Sequence, residues 1–177
     1  PALNHRVCGG WHHRSDSHLR PDTLMSVWTR ATQRRGVAIA ENCPLTSLET
    51  RSGSIVAART AQGRFTADRF VMATGAWSTD ILRRLKVRIP VVPGKGYSIT
   101  MDRPAVCPRM PCYLYERNVV VTPWRSGYRL GGTMEFSGFN DHLDTRRLAN
   151  LEQSAARYMR MPMGRRVVER WTGLRPM

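Results

Sequence analysis

Two stretches of the chain repeat apolar residues at the spacing of an amphipathic helix. Between Pro21 and Gly36 the apolar positions fall at i, i+3, i+4 and i+7, at Leu24, Val27, Trp28 and Ala31. A similar face recurs from Thr145 to Arg160, through Leu148, Leu151, Ala155 and Met159. Residues at this spacing line one side of a helix. The pattern therefore predicts two helices, the first ended by Gly36 and the second capped by Asp144.

Shorter apolar runs predict strands of two kinds. Val37–Ala40 and Arg69–Ala73 are continuous and each adjoins a helical segment, which is typical of an α/β unit in a doubly wound sheet. The stretch 46–65 is broken by two glycine-containing turns and predicts a small meander of hairpins. After Pro90, runs within 91–132 predict an antiparallel sheet.

Composition narrows the classes of function. The 28 Lys and Arg residues exceed the 13 acidic ones and give a net charge of +15, which would attract polyanions. The basic residues are scattered and no aromatic stacking platform accompanies them, so the pattern argues against nucleic acid as a partner. The four cysteines lack the spacing of a zinc site, and we expect no metal. No run approaches the roughly 18 apolar residues of a spanning helix, and we expect a cytoplasmic protein.

Five short motifs occur in order along nearly the whole chain. They are Asp16-Ser17-His18-Leu19-Arg20-Pro21, Ala73-Thr74-Gly75-Ala76-Trp77, Pro93-Gly94-Lys95-Gly96-Tyr97, Arg129-Leu130-Gly131-Gly132-Thr133-Met134-Glu135 and Trp171-Thr172-Gly173-Leu174-Arg175-Pro176. Together they resemble the group of FAD enzymes formed by D-amino-acid dehydrogenase, glycine oxidase and D-amino-acid oxidase. The third and fourth motifs favour the dehydrogenase branch, whereas the first departs from it. Each motif alone is weak, but five in register are a strong signal.

The resemblance implies how the chain is organised. The fold expected is α/β, α+β overall, with a partial FAD-binding Rossmann-like domain and an antiparallel-sheet substrate domain. The first domain is expected at 1–88, with an opening loop at 1–20, and the sheet with its helix at 89–166. Residues 167–177 are expected to form a strand that returns the chain to the FAD domain.

The resemblance also implies residues beside the cofactor. In such enzymes the Ala73-Thr74-Gly75-Ala76-Trp77 segment lies next to FAD, and the backbone near Pro44 and Leu45 grips the adenine. Lys95, between two glycines, is expected to reach towards the flavin. The plainer interpretations stay open: an ordinary strand-to-helix turn, core packing of Leu45, and a solvated lysine in a turn.

The substrate residues follow from the same resemblance. Arg175 corresponds to the arginine that pairs with the substrate carboxylate, and a guanidinium presents two parallel donors that suit a carboxylate. Met134 is expected to line an apolar pocket, and the Tyr97 hydroxyl to face the substrate. A surface arginine, a core methionine and a half-buried strand tyrosine are the alternatives.

The implied activity is oxidation of an amino acid, most simply a D-amino acid, to the imino acid by hydride transfer to FAD. Oxygen or a quinone would be the electron acceptor, and the intact enzyme is expected to be able to associate peripherally with a membrane. A sarcosine or secondary-amine oxidase remains an alternative, and so does a basic nucleic-acid-binding or scaffolding module. The chain contains no Gly-x-Gly-x-x-Gly motif. We therefore expect an internal fragment that by itself binds FAD weakly and is inactive.

Overall fold

A computed structural model describes residues 2–177. They divide into two compact units. The hairpin unit comprises 19–74 and 78–89, and the sheet unit comprises 2–18, 75–77 and 90–177.

The hairpin unit contains two helices and a small meander. Its elements are α1 (Pro21–Arg34), β1 (Leu45–Arg51), β2 (Ser54–Thr60), β3 (Gly63–Phe65) and α2 (Ser78–Arg84). Helix α1 begins at Pro21, whose fixed φ suits the first helical position, and ends before Gly36, whose φ is +82°. The strands pair antiparallel in the order β1-β2-β3. The first predicted helix and the predicted hairpins are thus present.

Two predicted strands are absent from the hairpin unit. Val37–Ala40 and Arg69–Ala73 form no strand, and Val71 is 91% exposed. A strand needs a neighbour to take up its backbone hydrogen bonds, and in residues 2–177 neither segment is paired in one of the two sheets. The prediction of strands at these two segments was wrong for the part of the chain that the structure describes.

The sheet unit is built on five antiparallel strands in the order β5-β6-β7-β4-β8. Their bounds are β4 (Pro93–Met101), β5 (Cys112–Leu114), β6 (Val119–Trp124), β7 (Gly127–Glu135) and β8 (Val167–Pro176). Helix α3 (Thr145–Tyr158) follows β7. The combination of helices with antiparallel sheets confirms the predicted α+β class.

Helix α3 covers one face of this sheet. Its buried residues Leu148, Leu151 and Ala155 join a core with Ile99 of β4 and Leu130 of β7. The helix starts at the predicted cap, because an Asp144 carboxylate oxygen accepts hydrogen bonds from the two backbone amides at the helix start. Burial of the apolar stripe fixes the helix on the sheet.

The last strand lies at the edge of the antiparallel sheet, and a return of the chain to the FAD domain stays a prediction. Strand β8 pairs with β4 along its whole length, from Pro93 opposite Pro176 to Met101 opposite Val167. Residues 167–177 therefore belong to the antiparallel sheet. The opening residues also join this unit, since the Asn4 amide donates to the Tyr158 carbonyl at 2.8 Å.

Candidate functional site

A bulge in β7 decides which side chains reach each face of the sheet. Opposite β4, Gly132 pairs with Tyr97 and Met134 with Gly96, so Thr133 is the extra residue. Thr133 has a φ of +55°, which a β-branched residue rarely adopts. Without the extra residue, side-chain alternation would exchange the faces of Met134 and Glu135.

Gly94 lies near the start of β4, on the face opposite helix α3. A Cβ at this position would lie 2.5 Å from Met177 Cγ and 2.8 Å from Met134 Sδ. Arg175 pairs directly with Gly94 across β4 and β8, and directly opposed residues project to the same face. The structure therefore brings two predicted substrate residues, Arg175 and Met134, to one apolar patch.

Arg175 is exposed at the end of the edge strand β8. Among residues 2–177 no carboxylate pairs with it and no hydrogen bond occupies its guanidinium. The neighbouring arginine of the same strand, Arg170, is in contrast paired with Glu152 at 3.7 Å. The N–H donors of the Arg175 guanidinium are thus available for an anionic group.

Lys95 and Tyr97 point to the other face, where they meet Glu135. Lys95 is only 1% exposed, and its ammonium donates to Asn140 Oδ1 at 2.5 Å and to the His142 carbonyl at 3.1 Å. It also lies 3.4 Å from Glu135 Oε1. The Tyr97 hydroxyl donates to Glu135, and the ring lies under the Lys95 ammonium. Lys95 is therefore a buried strand residue and not a solvated turn residue, and the Tyr97 hydroxyl is already bonded within the protein.

The hydrogen bonds around Glu135 favour its charged form. The Ser137 and Tyr97 hydroxyls, followed by Lys95, lower the pKa of Glu135 to about 2. Burial opposes charge on Lys95, but hydrogen bonds with Tyr97 and Glu135 outweigh it and raise the Lys95 pKa. Lysine and glutamate thus form a charged pair inside the sheet unit.

Arg147 of helix α3 completes this cluster and was not singled out from the sequence. Its Nε lies 3.0 Å from Glu135 Oε2, and its NH1 donates to Thr133 Oγ1 at 3.0 Å and to the Met134 carbonyl at 3.2 Å. Arg147 therefore fixes the bulge that orients Met134. Its only signal in the sequence is a place in the first turn of a predicted helix, which many arginines share.

An open groove lies beside β8, with a volume of about 450 Å³. The short 3₁₀ helix Gly75–Trp77 packs against β4 and β8, with Ala76 buried. The Trp77 and Phe139 rings are 5.9 Å apart and line the groove. The remaining wall is formed by Asn140, Asp141, Trp171, Thr172, Gly173 and Leu174. Three of the five residues of the predicted flavin motif, Gly75–Trp77, therefore lie near the strand that carries Arg175.

Residues 1–177 match the sequence profile of the family described as FAD dependent oxidoreductase, DAO. The chain belongs to this family. The chain is 35% identical over 165 residues to a D-amino acid dehydrogenase of Rhodopseudomonas palustris, covering 92% of this chain and 38% of that protein. It is 33% identical over 143 residues to a glycine oxidase of Pseudomonas putida, covering 79% of this chain and 38% of that protein.

A solved structure shows that the fold is shared. Glycine oxidase from Geobacillus kaustophilus superposes with a TM-score of 0.77 at 21% identity, over 86% of this chain and 41% of that one. The chain spans 27% to 43% of the length of the curated DAO relatives that it matches.

The DAO segment Gly75–Trp77 has a form that suits a planar cofactor. Gly75 adopts a φ of +57°, and no atom outside its chain neighbours lies within 4 Å of where its Cβ would be. Trp77 is 52% exposed. A backbone free of side-chain bulk beside an exposed aromatic ring lets a flat group approach closely, so these residues fit FAD.

Four other predicted cofactor residues, Pro44, Leu45, Ala73 and Thr74, lie in the hairpin unit. The Pro44 carbonyl accepts a hydrogen bond from the Ala61 amide at 3.3 Å, and Leu45 begins β1. Ala73 precedes Thr74, whose hydroxyl is 2.9 Å from that of Ser78. Their contacts with a cofactor stay predictions, as does that of Lys95.

Residues 2–177 lack the features of a metal site and of a membrane-spanning helix. No group of three or more His, Cys, Asp or Glu side chains is arranged to hold a metal ion there. No helix in that range combines the length and apolar character needed to cross a bilayer.

Proposed function

We propose that the protein carrying this chain uses FAD to oxidise an amino acid, most simply a D-amino acid, to the imino acid. The observation that carries the proposal is Arg175, exposed and without a carboxylate partner among residues 2–177, on the face that Gly94 and Met134 form. The name of the Rhodopseudomonas palustris relative supports a D-amino acid as substrate.

Each residue of this face has a distinct part in the proposed reaction. Arg175 binds the substrate carboxylate through two parallel hydrogen bonds and so fixes the orientation of the α-carbon. Gly94 leaves the space that the Met134 and Met177 side chains occupy, and the substrate lies beside them. Acceptance of the α-hydrogen as hydride is the chemistry that FAD supplies when bound. Gly75–Trp77 would hold the cofactor through its open backbone and the Trp77 ring.

The test compares Arg175→Met with Arg175→Lys in the full-length protein loaded with FAD. A charged hydrogen bond contributes about 1.5–3 kcal/mol, so kcat/KM for D-amino acids should fall about 10- to 150-fold in Arg175→Met. Arg175→Lys should restore part of kcat/KM, because lysine keeps the positive charge but cannot donate two parallel hydrogen bonds to a carboxylate. Arg109→Met, at an exposed position on another loop, is the matched control. If Arg175→Met lowered kcat/KM equally for amines that have no carboxylate, the role of Arg175 in binding the substrate carboxylate would be refuted.

Substrate and acceptor profiles separate the finer alternatives. Turnover of sarcosine in preference to primary D-amino acids would move the assignment to a secondary-amine oxidase. Hydrogen peroxide formed in stoichiometric amounts would identify oxygen as acceptor, whereas activity only with a quinone would identify a dehydrogenase. If the full-length protein oxidises no amine, and if it binds nucleic acid with an affinity that falls as salt is added, the nucleic-acid-binding module would be favoured instead.

A further inference from the structure

Lys95 is buried, yet its partners lie on a segment that has no secondary structure of its own. Residues 136–144 join β7 to α3 without helix or strand. A loop of this kind is held in place by side chains. The Lys95 ammonium contacts it at two points, the Asn140 side chain and the His142 carbonyl.

The same loop forms a wall of the groove. Phe139 stacks near Trp77, and Asn140 and Asp141 line the groove with it. The side-chain nitrogen of Asn140 is held as well, because Nδ2 donates to the Ser137 carbonyl at 3.1 Å and to the Ser137 hydroxyl at 2.9 Å. The position of Phe139 therefore depends on Asn140, and that of Asn140 on Lys95.

Neighbouring polar groups stabilise the positive charge on Lys95. Glu135 lies 3.4 Å away, and the bulge at Thr133 brings its carboxylate to the face of Lys95. A buried cation that has lost water keeps its charge only with such partners. Its donors then go to Glu135, Asn140 and the His142 carbonyl, which ties the loop to the middle of the sheet.

We propose that Lys95 is a positioning residue that clamps loop 136–144 against the sheet and so sets the aromatic wall of the groove beside β8. This rests on the proposed function for its effect on catalysis, but the clamp itself is a property of the chain. Lys95 touches neither the groove nor the patch around Gly94, so its effect passes through Asn140 and Phe139.

The test uses Lys95→Met in the full-length protein, because methionine keeps the length of the side chain without the ammonium. Asn140→Leu is the second variant, since it cuts the clamp but leaves the Lys95–Glu135 pair and therefore the buried charge intact. The matched control is Lys86→Met, at the other lysine of the chain, which is exposed. Chymotrypsin cleavage after Phe136 or Phe139 reports on the loop without any need for activity.

We expect cleavage at least 10-fold faster in both clamp variants than in wild type and Lys86→Met. The KM for a bulky apolar amino acid should rise about 10-fold in Lys95→Met, with kcat within about 2-fold. Unchanged cleavage in Asn140→Leu and in folded Lys95→Met would overturn the clamp. Faster cleavage with an unchanged KM would overturn its link to the groove. A wild-type protein that oxidises no amino acid would instead sink the proposed function, while the cleavage rates still decide the clamp.

Discussion

Gly131 and Gly132 are adjacent in β7 and should respond oppositely to a single added methyl group. A Cβ on Gly132 would lie less than 3.0 Å from the Asn118 carbonyl oxygen, 3.1 Å from Val119 Cα and 3.2 Å from Leu151 Cδ2. A Cβ on Gly131 would meet nothing nearer than the Tyr97 carbonyl oxygen at 3.9 Å. Gly131→Ala is therefore a matched control one residue away.

The magnitude follows from what must move. Two of the three atoms that crowd Gly132 belong to the backbone of a neighbouring chain segment and cannot rotate away, so the cost lies near the upper end of overpacking, about 3 kcal/mol. Alanine recovers about 0.5–1 kcal/mol at either position, because glycine loses more entropy on folding. Gly132→Ala should thus lose about 2 kcal/mol of stability, and Gly131→Ala should gain about 0.5–1 kcal/mol.

Thermal unfolding followed by circular dichroism measures the difference. For a chain of this size about 1 kcal/mol moves Tm by roughly 2–4 °C, so the two variants should differ by about 6–12 °C. Urea midpoints should shift in the same directions with unchanged slopes. A difference below about 1 kcal/mol would contradict the close approach of β6 and α3 to Gly132.

Two further predictions concern the start of α3 and the charged cluster. Asp144→Ala removes the acceptor for two amide groups at the helix start and should cost about 1 kcal/mol in urea unfolding, whereas Asp144→Asn should cost less. Because the folded-state pKa of Glu135 is about 2, below its ordinary 4.5, its contribution to stability is present above pH 4.5 and is lost as the pH falls towards 2. Glu135→Gln should flatten the pH dependence of Tm in that window; an unaltered slope would show that the cluster does not hold the carboxylate charged.

The sequence was most informative where structure depends on neighbours along the chain. The apolar period of α1 and α3, the cap at Asp144 and the turns of the hairpins are properties of a few consecutive residues. The motifs that resemble FAD enzymes are local in the same sense, because each is a short run of consecutive residues. The family match over residues 1–177 agrees with them.

The errors occurred where a residue's state depends on distant partners. Val37–Ala40 and Arg69–Ala73 have strand-like composition, but composition does not provide a pairing neighbour. The position of Lys95 between two glycines leaves a solvated turn residue open as an interpretation. Only the sheet shows it buried beside Glu135 and a loop some 45 residues further along the chain.

The sequence by itself determined the family, the two amphipathic helices and the candidate arginine, because each depends on residue type and local spacing. Tertiary structure decided which face each side chain occupies. A single extra residue at Thr133 sends Met134 towards Arg175 and Glu135 towards Lys95. That choice depends on the register between two strands more than 30 residues apart, which no local pattern encodes.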